Sequence, residues 1–540
     1  MNLPAGPGVV FTRRWVVDFV LDLAGYTPDR DLGAMVAVEP ACGGGAFLEQ
    51  MVSRLSASCR AHGRNLGDAI RAFDLLPHNV EASQRVIEKV LSEGGWKSAA
   101  KYATAWVEQD DYLLRQREEQ SADFVLGNPP YIRLEDIPQD RLAAYRDACS
   151  TMAGRSDVYI GFYEVALRSL KPEGVVGFIC ADRWMRNRYG ARLRRLIAAH
   201  YSVDFAMALH DVDVFDRRVA AYPAISIIRK APQGPAVVAD TRRAFLADDA
   251  MTVVAWKRNP ASPPIANGRF EIGRLPHWFS GGDSWPSGSP ARLALIEDLN
   301  DRFPLLEDRA TATRVGIGVA TGADSVFVTS GSACADVEPD RLLPLSMVRD
   351  TKSGGLAWSG HHLVNPWDAN GELVDLAAYP RLQAHFERHS SALRQRYVAR
   401  LGPEQWYRTI DKIDHCLTAR PKLLFPDLKN CLHPVLDEGG LYPHHNLYYV
   451  VSDAWDLRVL GGLLLSGVAQ AFVEAYAVKM RGGTMRFQAQ YLRRIRVPHP
   501  ESLSASDRAA LARAFADRDI DAASEVATRV YGVCIAAIPK

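Results

Sequence analysis

The chain reads as an α/β protein: a doubly wound, mainly parallel sheet followed by a mixed α+β C-terminal domain. Three observations carry this. Over the first 230 residues short apolar runs alternate with amphipathic segments, the pattern of strand and crossover helix. A Gly-rich turn, Cys42-Gly43-Gly44-Gly45, follows the first apolar run and opens a helical segment. After residue 230 the breaker content rises, and the alternation does not resume until about residue 305.

The strands expected in order are Met35–Glu39, Ala69–Asp74, Ala122–Leu126, Gly174–Cys180, Val203–Leu209 and Ala224–Arg229. Each is a short apolar run bounded by polar or turn residues. The helices expected between them are Phe47–Arg60, Asn79–Leu91, Val158–Leu170 and Gly190–His200, where apolar residues recur at three- and four-residue spacing. Lys171-Pro172-Glu173-Gly174 reads as a helix end turning into the next strand. Three segments follow from composition: a first domain over 1–240, a second over 241–500 with a loop-rich start at 241–300, and a helical tail over 501–540.

A chain of 540 residues is too long for one ordinary domain. Hydrophobic content of 48% and charged content of 24% are those of a soluble globular protein. The first residues show no charged start followed by an apolar stretch, so no export signal is read, and a cytoplasmic location is expected. Val459–Val473 is apolar but interrupted by glycine, serine and glutamine, and reads as a buried helix. The eight cysteines are dispersed without a C-x-x-C pair, which argues against a zinc site or a disulfide framework. A net charge of +1 neither requires nor excludes nucleic acid.

Asn128-Pro129-Pro130-Tyr131, at the end of the third expected strand, is the most informative segment. Two prolines fix their own φ and donate no backbone hydrogen bond, and Pro129 biases Asn128 away from helix. The product is a rigid extended loop with an amide side chain, accepting carbonyls and an aromatic face. It could hold a planar amino group, or it could be a tight turn with a core-facing tyrosine. Glu39, Asp74 and Asp111 stand at or near successive strand ends, where open α/β sheets bind ligands. They suit a nucleoside with a positive centre better than a phosphate chain.

Thr12, Glu39-Pro40-Ala41-Cys42-Gly43, Asp74, Asp111-Tyr112-Leu113 and Gly127-Asn128-Pro129-Pro130-Tyr131 occur in an order that resembles the S-adenosylmethionine-dependent N6-adenine DNA methyltransferases. The arrangement is similar to the γ group, TaqI-like, of restriction–modification systems. Asp157-Val158-Tyr159, Trp184 and Val214-Phe215 extend the resemblance, and Gly318–Gly322, His445–Tyr448 and Leu492–Pro498 look like the family's specificity domain. The resemblance implies a class I methyltransferase fold, with 1–240 catalytic and 241–500 reading DNA. It implies that Thr12 contacts the methionine carboxylate of S-adenosylmethionine, with the Gly43–Gly45 backbone beside the amino-acid portion, and that Glu39, Ala41 and Asn128 also contact the cofactor. Asp74 would hold the ribose, Asp111 would accept from the cofactor's adenine amino group, and Tyr112 or Leu75 would line its ring. Asn128 and Pro129 would accept the hydrogens of the target amine, while Tyr131 and Phe215 would stack on a flipped base; ordinary core packing is the other reading of Phe215. Two departures stand out: Thr12-Arg13 where the family usually has Thr-Pro, and Leu76 where a second acid often follows the ribose-binding one.

No metal is expected. Double-stranded DNA is the expected partner, with a separately encoded restriction enzyme acting on the same site as a second, and the chain is expected to be a monomer. Between residues 479 and 496 six cationic residues stand without an acid, with Phe487 and Tyr491 interleaved. Arg481, Arg486, Arg493, Arg494 and Arg496 are the expected phosphate contacts; a solvated basic face gives the same pattern. A second basic cluster runs from Arg183 to Arg195. Shorter methyltransferases acting on RNA or on a protein glutamine share Asn-Pro-Pro-Tyr, and a silent DNA-binding relative would keep the fold.

Overall fold

The computed structural model describes residues 12–115, 119–209, 212–216, 222–477 and 485–533. The chain divides into two compact units, Met1–Leu293 and Ala294–Lys540.

The first unit is organised by a ten-stranded sheet. Its strands are β1 (Ala37–Glu39), β2 (Ile70–Asp74), β3 (Val107–Gln109), β4 (Ala122–Gly127), β5 (Leu170–Ala181), β6 (Ser202–Ala208), β7 (Pro223–Arg229), β8 (Ala236–Thr241), β9 (Ile265–Ala266) and β10 (Phe270–Leu275). They are ordered β3-β2-β1-β4-β5-β7-β6-β8-β10-β9. From β3 to β5 all neighbours are parallel; β7 runs antiparallel to both β5 and β6. The strand order reverses between β1 and β4, so the crevice outside their carboxyl ends is where a ligand belongs. The central strands are buried on both faces. Phe124, Val125 and Leu126 of β4 are at most 1% exposed, and each such side chain contributes about 1.5–3 kcal/mol by burial. That makes the end of β4 a stiff platform for the loop that follows.

All six expected strands and all four expected helices form, with ends shifted by a few residues. Three segments differ from expectation. The Lys171–Gly174 turn lies within β5 as an irregularity of its pairing with β4, where Glu173 takes a left-handed φ of 63°. The apolar segment Val459–Val473 is two helices, Leu457–Leu465 and Gly467–Tyr476, bent by 64°. Ser466 between them caps the second by accepting from the Ala469 N–H. No single described helix is long and apolar enough to cross a membrane. Finally, the stretch after residue 231, expected to be loop-rich, keeps irregular segments over 242–246, 259–264 and 276–289 but also carries regular elements. β8, β9 and β10 extend the first sheet, with the helix Ala247–Arg258 between β8 and β9, and β8 pairs parallel to β6.

The second unit holds two four-stranded sheets and a helical group. One sheet orders Arg314–Ile317, Leu447–Val451, Lys422–Pro426 and Val435–Asp437. Its apolar core includes Leu423, Val450, Leu460 and Phe472. The helices Ala505–Asp517 and Ile520–Tyr531 occupy most of the described tail, and Leu511 and Ala527 sit in that same core. Two sequence motifs meet here: Val319 bridges His444, and the His445 N–H donates to the Val319 carbonyl. His444 Nε2 lies 3.0 Å from Asp324 Oδ2, and burial pushes the His444 imidazole pKa down. Asp324, His444 and His445 are the one described group with metal-ligand geometry.

Candidate functional site

The residues singled out along the first 130 positions converge on the carboxyl ends of β1, β2 and β4. The loop after β1 is tightly built. The Cys42 N–H donates to the Phe73 carbonyl at 2.9 Å, and the Gly45 N–H to the Cys42 carbonyl at 2.8 Å. The Gly43 N–H donates to Asp74 Oδ2 at 2.9 Å, and Ser83 Oγ donates to the Gly43 carbonyl at 3.0 Å. Gly43 and Gly45 have φ of 51° and 86°, where a side chain is strained. Gly43 has open space where a Cβ would stand, so the backbone there can be approached closely. Gly45 is the N-cap of the helix Ala46–Ala61, and a Cβ on it would meet Val86 at 3.3 Å. Ala41 is half-buried beside this loop.

Asp74 ends β2 half-buried. Besides Gly43, it accepts from the Leu76 N–H at 2.9 Å and from Asn79 Nδ2 at 3.0 Å, both through Oδ1. A carboxylate has about four lone-pair sites, so one direction stays open. Leu75 and Leu76, each 39% exposed, present apolar surface beside it. Asn79 was not singled out from sequence; its position in the first turn of the helix Pro77–Glu93 was the available signal. Asp111 accepts from the Tyr145 hydroxyl at 2.8 Å and the Leu113 N–H at 3.1 Å, and Arg141 Nε is 3.9 Å away. Tyr145, on the helix Gln139–Ala148, is a partner that sequence reasoning missed. Tyr112 is buried in an aromatic group, stacked on Phe162 at 5.5 Å and 5.8 Å from Phe73. Leu75 is thus the more accessible of the two residues expected to line a cofactor ring.

Glu39 is 2% exposed at the end of β1, and its Oε2 has no hydrogen-bond partner among the described residues. Burial, and then the nearby Asp74 charge, pushes its carboxyl well above the usual carboxylate range. Such a group destabilises the fold when it ionises. Native Glu39 binds a proton more tightly than the unfolded chain does, so stability falls as pH rises from about 4.3, the unfolded value, through the higher folded value. Glu39→Gln is expected to remove this slope and to raise the melting temperature at neutral pH. Thermal unfolding of both proteins across pH checks it; parallel curves would show that Glu39 is ionised without cost.

At the end of β4, Asn128 Nδ2 donates to Thr12 Oγ1 at 3.2 Å, while Asn128 Oδ1 is enclosed without a partner among the described residues. Thr12 in turn bridges Phe215, and the Arg13 N–H donates to the Val214 carbonyl at 3.1 Å. A proline at position 13 has no N–H to give. The departure from Thr-Pro therefore adds a tether between the segment carrying Thr12 and the one carrying Phe215. Tyr131 is half-buried, its ring 6.2 Å from Phe215 at 75° and 6.5 Å from Tyr159. Phe215 is 7% exposed. Thr12, Asn128, Tyr131 and Phe215 thus form one cluster. Pro129 is buried beneath it. Burial raises the thiol pKa of Cys42 and Cys180, which keeps both as neutral core groups.

The expected phosphate strip is different in character. Arg481 lies outside the described residues, as does the side chain of Arg486. Arg493 donates to Glu307 Oε2 at 3.0 Å and to the Val315 carbonyl at 2.7 Å. Arg496 donates to Asn300 Oδ1 at 2.9 Å and to the Phe303 carbonyl at 3.1 Å. Arg494 lies over the Tyr476 ring at 5.9 Å. Phe487 and Tyr491 are core residues, 1% and 4% exposed. In the Arg183–Arg195 cluster, Arg186 pairs with Asp182 and donates to Ser287 Oγ, while Arg194 donates to the carbonyls of Trp184, Asn187, Gly282 and Asp283. These two arginines staple residues 182–194 to 282–287.

Residues 52–215 match the family described as Eco57I restriction-modification methylase. The type II methyltransferase M.PaeR7I of Pseudomonas aeruginosa is 44% identical over 535 residues, covering 97% of this chain and 92% of the relative. The chain belongs to the type II restriction–modification methyltransferases. M.XhoI of Xanthomonas vasicola, 40% identical over 540 residues and covering 98% of each chain, is another member of this family. Among solved structures, the type IIL restriction–modification enzyme MmeI in complex with DNA shares the fold at a TM-score of 0.58 and 12% identity, covering 97% of this chain and 75% of its own. This type II methyltransferase is a DNA-modifying enzyme, and the RNA and protein-glutamine readings lose their support.

Proposed function

We propose that the enzyme transfers a methyl group from S-adenosylmethionine to N6 of an adenine rotated out of duplex DNA, as the modification half of a restriction–modification pair. The observation that carries this is the unsatisfied Asn128 Oδ1 at the end of β4. It stands across the strand-order reversal from β1, whose last residue, Glu39, carries a second unsatisfied buried oxygen. The residues fit the methyl donor. Glu39 offers a buried carboxylate to a positive amino-acid portion, Gly43 an open backbone, Asp74 an acceptor to ribose hydroxyls, and Leu75 an apolar face to a ring. Thr12 and Ala41 border the amino-acid end, Asp111 the base end, and Tyr112 backs that end from the core.

When bound, S-adenosylmethionine supplies an electrophilic methyl group. The amine's lone pair is delocalised into the adenine ring, so the protein's task is to localise it. Asn128 Oδ1 and the Pro129 carbonyl accept the two amino hydrogens and favour a pyramidal nitrogen. Preorganised acceptors of this kind act mainly in the transition state. Tyr131 and Phe215 flank the base, and stacking worth about 1–3 kcal/mol per base offsets much of the cost of rotating it out. The second unit, with Arg481, Arg486 and Arg494, is assigned to holding DNA; Arg493 and Arg496 would have to share their internal partners with phosphates.

Incubation with plasmid and S-adenosylmethionine, followed by direct sequencing of modified bases, tests the reading. N6-methyladenine at one short sequence is expected. Methylation confined to cytosine, or none, would sink it.

A further inference from the structure

A cavity of about 230 Å³ opens between the segments that follow β4 and β5, on the same sheet edge as Asn128. Its polar lining is Arg133, Arg155, Arg183, Asn187 and Tyr189, with Glu135 and Asp157 as its acids. Three guanidinium groups therefore face two carboxylates. Burial pushes the Asp157 carboxyl up, and the Arg183 and Arg133 charges act against that shift. Arg133 and Arg155 are exposed at the rim, and neither guanidinium has a hydrogen bond or ion pair among the described residues. This is the reverse of Arg186 and Arg194, whose donors serve the fold.

The cavity is also coupled to the catalytic loop. Arg133 is two residues beyond Tyr131. The Val158 N–H donates to the Ile132 carbonyl at 3.1 Å, which joins the two walls. Tyr159, whose ring meets Tyr131, shares a 2.6 Å hydroxyl contact with Tyr189. The cavity thus shares its walls with the segments that carry Tyr131 and Tyr159. The space far exceeds the roughly 30 Å³ of one water, and planar guanidinium forks match phosphate oxygens.

We propose that this cavity seats a DNA backbone phosphate next to the rotated target nucleotide, with Arg133 and Arg155 as its main ligands. The proposal rests on the methyl-transfer reading above and adds to it how the strand is gripped while the base is out. Gripping the backbone beside the target holds the sugar in its rotated position without reading sequence.

The test uses the full-length enzyme, R133A, R155A and the double variant, with synthetic duplexes carrying a neutral methylphosphonate at the phosphates flanking the mapped target adenine. Each single variant is expected to lower the salt slope of binding by about one. Each should weaken the cognate duplex, whose target base rotates out, by roughly tenfold or more at low salt, and a non-cognate duplex less. The methylphosphonate should cost the wild type a similar factor and cost the double variant nothing further. Calorimetric affinity for S-adenosylmethionine should be unchanged, which verifies that the variants are folded. An unchanged salt slope, or a methylphosphonate penalty undiminished in the double variant, overturns the phosphate seat alone. A wild-type enzyme that methylates no DNA overturns the reading beneath it as well.

Discussion

Asn128→Ala is expected to lower the single-turnover rate of methyl transfer by roughly a hundred- to a thousandfold, the loss seen when one preorganised transition-state partner is removed. Affinity for S-adenosylmethionine should change little. The reason is in the local structure. Asn128 Oδ1 has no partner among the described residues, so its deletion leaves no protein donor stranded. Among the described residues its Nδ2 serves Thr12 alone. The fold should therefore survive with a melting temperature near that of the wild type. Rapid-quench transfer of a labelled methyl group separates chemistry from binding. A rate within a few-fold of wild type would show that the amide does not touch the reacting amine.

Asp74→Ala is expected to weaken S-adenosylmethionine binding by about a hundredfold, the upper end of what a charged hydrogen-bond partner contributes. Two losses combine here. A ribose acceptor disappears, and the Gly43 N–H loses the carboxylate that fixes the loop after β1. Asp74→Asn keeps an acceptor for that N–H and should recover part of the affinity. Isothermal titration of both variants reads the two contributions apart. Equal affinity in wild type and Asp74→Ala would remove Asp74 from the cofactor site.

Much of this arrangement was legible in sequence because it is local. Glu39, Asp74 and Asn128 each close a short apolar run, and a strand end is a place that periodicity alone can find. The glycine run after β1 announced a turn with left-handed φ, and Gly43 and Gly45 adopt it. What was not legible depends on partners far away in the chain. Nothing in a 479–496 window shows that Arg493 reaches Glu307 or that Arg496 reaches Phe303. A basic run and a set of internal ties have the same composition. Likewise Arg133 and Arg155 are unremarkable in sequence, and only folding brings them to one cavity. The strands β8 to β10 were missed because prolines and glycines crowd residues 231–300, although β10 itself, Phe270–Leu275, carries alternating apolar residues.

Those late strands bear on where a recombined chain would keep its first sheet intact. β8 and β10 pair with each other along six residues, and β8 also pairs with β6. A crossover near residue 240, where composition shifts, would splice one parent's β8 onto another parent's β10 and mix their registers. A crossover near 293 and 294 leaves every pairing of the ten-stranded sheet within one parent. A junction some fifty residues past the expected boundary at 240 is therefore the one that spares that sheet. Lineages that trade the second unit should carry their junctions there, with the whole sheet inherited as a single block.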